Sequence, residues 1–428
     1  MDTSFQVVDV DAWLPRAAAA HPRRRAVGSL GYVRLLGEAQ SAARRLAAQG
    51  VTPGDRVAIA LPPGEAFAAL LHGCLLLGAV AVPIDPRLPE AERAARSASA
   101  TVLVDTPLEG DEDVGAQLHD RHDLAAPAIV VHTSGTSSSA RPITLTYGNW
   151  LWSALGSAAL LGLDPQERWL CCLPLAHVGG LSILLRSAIY GTTATVHERF
   201  DVDAVLAELR DPGGPTLVSL VPATLTRLLD AGLREPPALR WALLGGAAIA
   251  PALLERAAQA GVPVAPTYGM TEACSQILTA GAPLFCTRVD LDEAGEILVA
   301  GPTVSPDAGP VLHTGDLGRR DAAGRIVVLG RADDVIISGG ENVSPLAVEQ
   351  VLERHPGVAE AAVHGRRDER WGQAVIATVV AAGGAPLDAQ DVLAFCRERL
   401  APWEVPKALN VVDELPRTAS GKLLRRAL

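Results

Sequence analysis

The chain has 428 residues, of which 49% are hydrophobic and 20% are charged, and its formal net charge is −11. A chain of this length is expected to form two or three domains, and its composition is that of a globular protein rather than a disordered one. The negative charge argues against nucleic acid or an anionic membrane surface as the main partner, so any anionic ligand must be held by local groups.

The N-terminal third carries no signal for export or membrane insertion. The first residues are acidic and lack the basic-then-apolar order of a signal peptide. The most apolar run, 66–82, is interrupted by His72 and two glycines and stops at Pro83, which predicts a buried helix running into a strand. The cysteines form no C-x-x-C pair and are expected to be buried thiols in a reducing compartment: Cys74, Cys171, Cys172, Cys274, Cys286 and Cys396. We therefore expect a cytoplasmic protein without a membrane span.

Short apolar runs bounded by glycine and proline alternate with helical stretches over most of the chain. Four runs predict strands covered on both faces, and hence an α/β fold: 56–61, 128–131, 216–221 and 241–244. After Gly295 the character changes, and runs 296–299 and 325–329 predict antiparallel hairpins. Beyond Arg331 the pattern predicts a compact α/β unit made of strand 334–337, helix 345–355, strands 358–364 and 374–380, helix 388–400 and strand 407–412.

A hydroxyl-rich loop follows the predicted strand 128–131. Residues 132–141 read HTSGTSSSAR. Hydroxyl groups and free backbone N–H groups in a turn after a strand form a nest suited to phosphates. The loop lacks the glycine and lysine spacing of a Walker motif, and a polar linker is the alternative interpretation.

Two further segments combine glycine with polar side chains. Gly245-Gly-Ala-Ala is predicted to close a strand and open a helix, a turn that lets a ligand approach the backbone. In the segment 267–276, Tyr268 could stack on a planar base, Thr271 could contact phosphate and Glu272 could bind Mg²⁺. An ordinary capped helix start is the alternative for this segment.

Three further positions are candidates for a functional role. Asp316, in HTGD, has Arg331 fifteen residues downstream, and together they could hold a ribose, although a hairpin turn also explains a TGD sequence. His177, beside two glycines where a strand gives way to a helix, could gate a pocket or be structural. Lys422 is one of two lysines among 37 basic residues, and a compact ammonium suits a phosphate or a reacting oxygen. The alternative, for Lys422 as for Lys407, is a lysine without a specific function on a poorly ordered chain end.

Taken together and in order, these segments resemble the motifs of the adenylate-forming superfamily, which contains acyl-CoA synthetases, nonribosomal peptide adenylation domains and luciferases. The matching stretches are TSGT at 133, PLAHVGG at 174, GGAA at 245, TYGMTE at 267, TGD at 314, GRADD at 330, SGGENVSP at 338 and PRTASGK at 416. The resemblance implies an α/β fold with a large N-terminal domain (1–330) of layered α/β subdomains plus a β-barrel-like part. A hinge (331–334) and a small mobile α+β domain (335–428) follow.

The resemblance also implies roles for individual residues. Phosphate, nucleotide and ribose contacts fall on Thr133, Ser134, Gly135, Thr136, Arg141, Gly245, Gly246, Ala247, Tyr268, Gly269, Asp316 and Arg331. Thr271 and His177 would act at the reacting centre and Glu272 would hold Mg²⁺. Lys422 would bridge the acid and the α-phosphate during adenylation. Rotation about Asp333 would then bring Ser338, Gly339 and Gly340 to the site for thioester formation with CoA.

Within the superfamily, residues 179–186, 189–193 and 268–277 resemble the o-succinylbenzoate–CoA ligases of menaquinone biosynthesis. The implied reaction joins o-succinylbenzoate to CoA and converts ATP to AMP and pyrophosphate. The second carboxylate of this acid needs a cationic partner, and the candidates are Arg186 and Arg227, aided by Ser275 and Gln276. Both arginines could instead be surface residues on helices.

Four matters stay open at this point. The acid could be another aryl or fatty acid, and the acceptor could be a carrier protein. The chain could also be a degenerate nucleotide-binding relative, because Ser138, Ala140, Arg141 and Pro142 depart from the usual phosphate loop, T-S-G-T-T-G-x-P-K-G. These departures motivate a hypothesis of weaker ATP binding, which an ordinary KM for ATP, unchanged by Ser138→Gly, would contradict. A homodimer is a further option.

Overall fold

A computed structural model of the chain describes residues 8–133, 140–382, 387–417 and 423–428. In those ranges the α-helices are α1 (Trp13–Ala20), α2 (Tyr32–Ala48), α3 (Glu65–Leu77), α4 (Glu90–Ser97), α5 (Tyr147–Leu161), α6 (Val178–Tyr190), α7 (Val202–Arg210), α8 (Pro222–Asp230), α9 (Pro251–Gln259), α10 (Pro345–Leu352) and α11 (Ala389–Arg397). Single-turn 3₁₀ segments follow at Thr271–Ala273, Pro306–Ala308, Ala332–Asp334 and Arg425–Ala427.

The strands belong to the large N-terminal region up to Arg331 and to the small C-terminal region after it. In the large region they are β1 (Asp9–Asp11), β2 (Arg25–Val27), β3 (Leu30–Gly31), β4 (Arg56–Ile59), β5 (Val80–Pro83), β6 (Val102–Val104), β7 (Arg121–Asp123), β8 (Pro127–Thr133), β9 (Arg141–Thr146), β10 (Arg168–Cys171), β11 (Thr193–Val196), β12 (Leu217–Leu220), β13 (Trp241–Leu244), β14 (Val264–Met270), β15 (Ser275–Thr279), β16 (Ala282–Pro283), β17 (Arg288–Leu291), β18 (Glu296–Ala300), β19 (Leu312–Arg320) and β20 (Ile326–Arg331). In the small region they are β21 (Ile336–Ser338), β22 (Glu341–Val343), β23 (Val358–Asp368), β24 (Gly372–Ala381) and β25 (Ala408–Val412).

The large region is built on two sheets rich in parallel pairs and an antiparallel sheet. The first has the order β16-β15-β14-β13-β12-β10-β11-β2-β3, and the second the order β6-β4-β5-β8-β9. The central strands of both are apolar and buried on both faces, which explains why they read as continuous hydrophobic runs. The helical layer includes α2, α3, α5 and α6, and the α/β prediction is confirmed.

Most predicted strands lie within two residues of their observed bounds, and the strand at 241–244 coincides with β13. The predicted buried helix and strand at 66–82 are α3 and β5. All the described cysteines are free, and all but the half-buried Cys286 are buried, as expected. None of the described helices is long and apolar enough to cross a membrane.

One boundary prediction is wrong. Gly245-Gly-Ala-Ala closes strand β13, but it does not open a helix, because α9 begins only at Pro251. Gly246 has φ +80°, in the left-handed region that a right-handed helix does not use. Pro251, by contrast, is preorganised for a first helical position.

The region predicted to be barrel-like is a four-stranded antiparallel sheet in the sequential order β17-β18-β19-β20. Its register sets Asp316 of β19 opposite Arg331 of β20. The predicted hairpins are therefore confirmed, and two residues fifteen positions apart in the chain become direct neighbours.

The small region has its own sheet and core. Its order is β22-β21-β24-β23, with β25 parallel to β24 and with α10 and α11 supplying helical core residues. The order of elements predicted for it is confirmed, although β22 was not predicted. The segment Ser338–Glu341 forms a two-residue hairpin whose central residues, Gly339 and Gly340, have φ +65° and +88°. Positive φ at both positions is what such a tight hairpin requires.

Candidate active site

The candidate site lies at one edge of the large sheet. Strands β12, β13 and β14 are parallel neighbours, so their carboxyl ends meet at the same edge. The chain passes this edge at Val221, Gly245 and Thr267, respectively, and β14 continues beyond it to Met270. Ligands of open α/β sheets bind outside the carboxyl ends of the strands, and the sequence-predicted segments 245–248 and 267–276 both fall there.

Gly245 is close-packed, and the residues after it are open. A Cβ on Gly245 would collide with the hydroxyl of Thr267, whose Oγ1 donates to the Leu244 carbonyl at 3.1 Å. A side chain at 245 would therefore push β13 away from β14. Gly246, Ala247 and Ala248 are exposed, so their backbone is accessible to a ligand at the strand end.

Tyr268, Asp316 and Arg331 form a hydrogen-bonded group that we call the carboxylate clamp. The Tyr268 hydroxyl donates to Asp316 Oδ2 at 2.7 Å, and Arg331 Nη1 contacts Asp316 Oδ1 at 3.2 Å. Arg331 also donates to the Thr314 carbonyl at 2.8 Å. Burial and the neighbouring Asp316 carboxylate raise the pKa of Tyr268 well above its ordinary value, so this phenol is a donor at neutral pH.

The clamp corrects one detail of the sequence interpretation. Asp316 does not lie in a hairpin turn but inside strand β19, where its own N–H donates to Thr314 Oγ1 at 3.0 Å. Each carboxylate oxygen has two lone pairs and, among the described residues, one side-chain donor, so both oxygens retain the capacity to accept a hydroxyl. A tyrosine that holds this carboxylate was not predicted, since the sequence suggested only stacking for Tyr268.

Thr271 and Glu272 lie on the 3₁₀ turn directly after β14, not on a helix start. Both side chains are half-buried. The turn doubles back into β15, and Gly269 permits this because a Cβ there would overlap the Ser275 carbonyl. The next two residues, Cys274 and Ser275, have φ +51° and +88°, which is rare for residues other than glycine.

The predicted phosphate loop lies between two antiparallel strands, β8 and β9. Thr133 ends β8, and its Oγ1 donates to the carbonyl of Arg141, which begins β9, at 3.3 Å. Ser134, Gly135, Thr136 and Ser138 lie outside the described residues. Pro142 lies in β9, the edge strand of its sheet, where the missing N–H is tolerated, so its backbone restriction acts on a strand and not on a turn.

His177 is the N-cap residue of α6 and is half-buried, as the predicted strand-to-helix junction implies. Its imidazole lies close to the Asp85 carboxylate. Burial alone would raise the pKa of Asp85, but hydrogen bonds from Arg87 outweigh burial and hold it below its ordinary value. The ion pair of Asp85 with Arg87, 2.6 Å between Oδ2 and Nη2, was not predicted from the sequence.

The two candidate arginines have opposite environments. Arg227 on α8 is exposed, with its guanidinium carbon 5.1 Å from the centroid of the Phe200 ring. Arg186 on α6 is only 3% exposed, so the alternative of a surface residue is wrong for it. Of their predicted helpers, Ser275 is half-buried, whereas Gln276 is buried and its Nε2 donates to Thr279 Oγ1.

The predicted hinge residue Asp333 is exposed on the 3₁₀ segment between β20 and β21. Beyond it, the Ser338–Gly340 hairpin rests on Trp371, whose carbonyl accepts from Gly339 N at 2.8 Å. Lys407 lies 5.0 Å from the centroid of the same ring and donates to the Pro402 carbonyl at 3.0 Å. Lys407 therefore packs on the small region and does not lie on a poorly ordered chain end.

Lys422 lies outside the described residues, but the residues on both sides of it make ion pairs. Arg417 Nη2 contacts Glu360 at 2.6 Å. Arg425 Nη2 contacts Glu349 at 2.9 Å, and its Nε lies 3.3 Å from Asp334, next to the predicted hinge residue.

The candidate site offers one carboxylate, that of Glu272, to a magnesium ion that would be shared with phosphates. The described residues contain no group of three or more His, Cys, Asp and Glu side chains placed to enclose a metal. Mg²⁺ is commonly held by one or two carboxylates together with substrate phosphates, and Glu272 supplies one carboxylate beside the open strand ends.

Comparison with known proteins gives this geometry its context. The family model for the AMP-binding enzyme matches residues 14–121 and 97–307, and that for the AMP-binding enzyme C-terminal domain matches residues 347–422. The chain belongs to the AMP-binding enzyme family. The 2-succinylbenzoate–CoA ligase of Bacillus licheniformis is 37% identical, over 99% of this chain and 100% of that protein.

The fold of this family member also matches solved structures. The o-succinylbenzoate CoA synthetase of Bacillus subtilis, in complex with its acyl-adenylate intermediate, is 35% identical and covers 98% of each chain with a TM-score of 0.89. The same enzyme with ATP and magnesium ion also gives 0.89. A double mutant of it, bound to a product analogue, gives only 0.71 at the same identity and coverage. The chain is thus closer in overall arrangement to the adenylate-bound and ATP-bound structures.

Proposed function

We propose that the chain is an ATP-dependent acid–CoA ligase that converts o-succinylbenzoate, ATP and CoA into o-succinylbenzoyl-CoA, AMP and pyrophosphate. The reaction has two steps. The acid carboxylate first attacks the α-phosphate and pyrophosphate leaves; the CoA thiolate then attacks the acyl carbon of the mixed anhydride and AMP leaves. Adenylation is needed because a free carboxylate would otherwise have to expel oxide.

The observation that carries the class of reaction is the carboxylate clamp beside the open strand ends. Asp316 and Arg331 would hold the ribose hydroxyls, and Tyr268 both orients Asp316 and offers a ring face to adenine. A buried carboxylate with two fixed donors is preorganised, so binding ribose costs little reorganisation. The exposed backbone at Gly246 and Ala247 would receive the nucleotide and the acid carboxylate.

The remaining roles concern charge. Thr133, Ser134, Gly135, Thr136 and Arg141 would hold the phosphates. Glu272 would hold Mg²⁺, which supplies charge neutralisation at the phosphates when bound. Thr271 would contact the α-phosphate, Lys422 would align the attacking carboxylate with it, and His177 would line the acid pocket. In phosphoryl chemistry of this kind, positioning and electrostatic stabilisation supply most of the rate.

The identity of the acid is supported by the relatives, which match this chain from end to end. The second carboxylate of o-succinylbenzoate would contact Arg227. This arginine is exposed on α8, which begins at the end of β12, whereas Arg186 is enclosed by the core. The exposed guanidinium can meet a ligand without disturbing the packing of the fold.

Domain rotation between the two steps is supported by the TM-scores. The product-analogue complex of the Bacillus subtilis enzyme differs from this chain much more than its adenylate complex does, at equal sequence identity. A rotation of the small region about Asp333 would produce such a difference, and would replace Lys422 at the site by the Ser338–Gly340 hairpin. We also place the enzyme in the cytoplasm, the compartment in which its free thiols stay reduced.

The test is product identification. Purified protein is incubated with Mg-ATP and o-succinylbenzoate, with and without CoA; pyrophosphate is measured and the acyl products are identified by mass spectrometry. We expect o-succinylbenzoyl-CoA with CoA and the acyl-adenylate without it. Turnover with benzoate or fatty acids but not with o-succinylbenzoate would contradict the substrate, and an adenylate that never becomes a CoA thioester would contradict the acceptor.

A further inference from the structure

Residues 302–307, which we call the bridging segment, connect two parts of the candidate site that are distant in the chain. The segment follows strand β18 and enters a 3₁₀ turn. Asn149, in the first turn of α5, anchors its first half, because its Nδ2 donates to the carbonyls of Pro302 at 2.8 Å and Val304 at 3.0 Å. Ser305 follows with no exposed surface. A polar residue buried to this degree needs hydrogen-bond partners for its hydroxyl and its N–H, and both partners lie at the candidate site.

The Ser305 hydroxyl is bonded to strand β9. This strand is the last of its sheet, so every second residue turns its backbone groups away from the sheet. At Thr144 the bridging segment occupies both of these groups: Ser305 Oγ donates to the Thr144 carbonyl at 2.8 Å, and Thr144 N donates to Asp307 Oδ2 at 2.7 Å. The Ser305 oxygen also accepts from Asp307 N at 3.1 Å, so its one proton is directed at β9. β9 begins at Arg141, directly after the predicted phosphate loop.

The Ser305 N–H is bonded to the turn that carries the proposed magnesium ligand. It donates to the Glu272 carbonyl at 2.7 Å. Glu272 lies on the 3₁₀ turn Thr271–Ala273, whose side chains at 271 and 272 would meet the phosphates and Mg²⁺. One buried residue thus binds the strand that ends the phosphate loop with its side chain, and the turn of Glu272 with its backbone.

Protection of a sheet edge explains only part of this arrangement. A charged residue or a loop over an edge strand is a common way to block unwanted strand pairing, and the exposed Asp307 serves that purpose at Thr144. Edge protection does not require a second contact from a fully buried hydroxyl, nor an N–H directed at Glu272 beside another sheet. The additional bonds of Ser305 are explained by a requirement to keep β9 and the turn of Glu272 at a fixed separation.

We propose that Ser305 is a positioning residue for adenylation: it fixes the separation between β9, on which the phosphate loop ends, and the turn that presents Thr271 and Glu272 to the phosphates and Mg²⁺. This inference rests on the proposed function. Adenylation needs both sides of the site in register because the phosphates and the metal are shared between them, and a displacement of about 1 Å can cost about 10²-fold in rate. Thioester formation involves no pyrophosphate, so it should depend on Ser305 much less.

The decisive variant is Ser305→Ala, which removes the hydroxyl and keeps the backbone N–H. Pyrophosphate exchange with o-succinylbenzoate should fall about tenfold, which corresponds to about 1.4 kcal/mol. The Mg²⁺ concentration that gives half-maximal exchange should rise, because the carboxylate of Glu272 is no longer held opposite the phosphate loop. Thioester formation from preformed acyl-adenylate should change less than about threefold.

A second pair of variants tests the same link from the exposed side, where folding is not at risk. Asp307→Ala removes the acceptor for Thr144 N and should lower exchange by about threefold, again without a matching loss of thioester formation. Asp307→Asn retains an acceptor oxygen at this position and should recover most of that loss. If Ser305→Ala does not fold, an unchanged exchange rate in Asp307→Ala overturns the proposal.

Thr303→Val is the matched control. Thr303 also lies in the bridging segment and has no exposed surface, and among the described residues its hydroxyl contacts only that of Thr287, at 3.4 Å. This variant should lower the melting temperature and leave both half-reactions unchanged. The proposal is overturned if Ser305→Ala leaves exchange within twofold, or if Ser305→Ala and Thr303→Val lower both half-reactions equally. Failure of the proposed function is distinguishable, since the unmodified enzyme would then show no exchange with o-succinylbenzoate.

Discussion

The carboxylate clamp and the segment around Lys422 are held in different ways. Asp316 is buried within a sheet, with its partners fixed by strand register and by a tyrosine from a neighbouring sheet. The residues flanking Lys422 are instead held by ion pairs, Arg417 with the half-buried Glu360 and Arg425 with Asp334 and the buried Glu349. The clamp is therefore part of the large region, whereas Arg417 and Arg425, on either side of Lys422, are tied to the small region. We propose that the lysine moves with that region.

The difference suggests a division of tasks. We propose that nucleotide binding depends on groups that stay in place through both steps, and that the choice of step depends on which part of the small region faces the site. Substitutions in the two regions should then affect different kinetic quantities, and each of the following experiments tests that separation.

The largest effect is expected for Lys422→Ala. Loss of a cation at the α-phosphate should lower adenylation about 10²- to 10³-fold, the usual cost of removing one stabilising group from a transition state. Thioester formation from synthetic acyl-adenylate should stay within about threefold. The control is Lys407→Ala, since the other lysine contacts Trp371 and should not affect pyrophosphate exchange. Equal loss of both half-reactions would contradict the division of tasks.

Asp316→Asn should act on ATP binding. It replaces a charge-assisted contact with Arg331 and with the ribose by neutral ones, which is worth about 1.5–3 kcal/mol, so the KM for ATP should rise about 10- to 100-fold. The KM for CoA should be unchanged. Arg319→Gln, at an exposed position of the same strand, serves as the control. An unaltered KM for ATP would show that the clamp is not part of the ATP-binding site.

Arg425→Gln should destabilise the small region alone. Glu349 is 4% exposed, and a buried carboxylate that loses its cation costs about 3 kcal/mol. Hydrogen exchange should accelerate in β23 and β24 and remain unchanged in β12 to β14. Arg399→Gln removes an exposed pair with the adjacent Glu398 and should have little effect. Acceleration spread evenly over both regions would show that they unfold as one unit.

The pH dependence of stability should differ in sign between the regions. Burial and the neighbouring Glu349 raise the pKa of Glu353 in the small region to about 7. Between the ordinary pKa of a glutamate and pH 7, the folded state therefore binds a proton that the unfolded state does not. Above pH 7 the buried charge lowers the stability of the folded state, and this loss disappears as the pH falls towards the ordinary pKa. Glu353→Gln should therefore stabilise the protein by about 3 kcal/mol at pH 8 and by less than about 1 kcal/mol at pH 5, measured as urea midpoints. A variant that is no more stable than the parent at pH 8 would contradict this assignment.

In the large region the pH dependence of stability has the opposite sign. Burial lowers the pKa of His72 to about 4, so its neutral form is favoured in the folded state. The unfolded chain binds the extra proton between pH 4 and 6.5, and the stability present above pH 6.5 is lost as the pH falls through this window. Acidification should thus weaken the large region first, which hydrogen exchange in α3 compared with β24 at pH 7 and pH 5.5 would show.

Sequence reasoning was most successful where the signal is local. Strand β13, the small region's order of elements and the pairing of Asp316 with Arg331 all follow from short patterns and turn spacing. The contact of Tyr268 with Asp316 could not be predicted, because it joins two sheets across 48 residues. The positive φ angles of Cys274 and Ser275 could not be predicted from the sequence either, because packing imposes this strained backbone conformation.

Arg186 shows a signal that could have been used. The run VGGLSILLRSAIY is apolar on all sides of the helix, and a helix of that kind is buried. Its one charge must then lie in the core. Weighing the whole helix instead of the single arginine would have excluded a surface position.

The most direct test of the central claim, that one chain makes and then consumes an acyl-adenylate, is a pulse-chase experiment. Enzyme with Mg-ATP and labelled o-succinylbenzoate is allowed one turnover and is then mixed with CoA and a large excess of unlabelled acid. The account predicts that most of the label appears as o-succinylbenzoyl-CoA, because the bound adenylate reacts before it dissociates. Label recovered as free acid or free adenylate, with only unlabelled thioester formed, would contradict it.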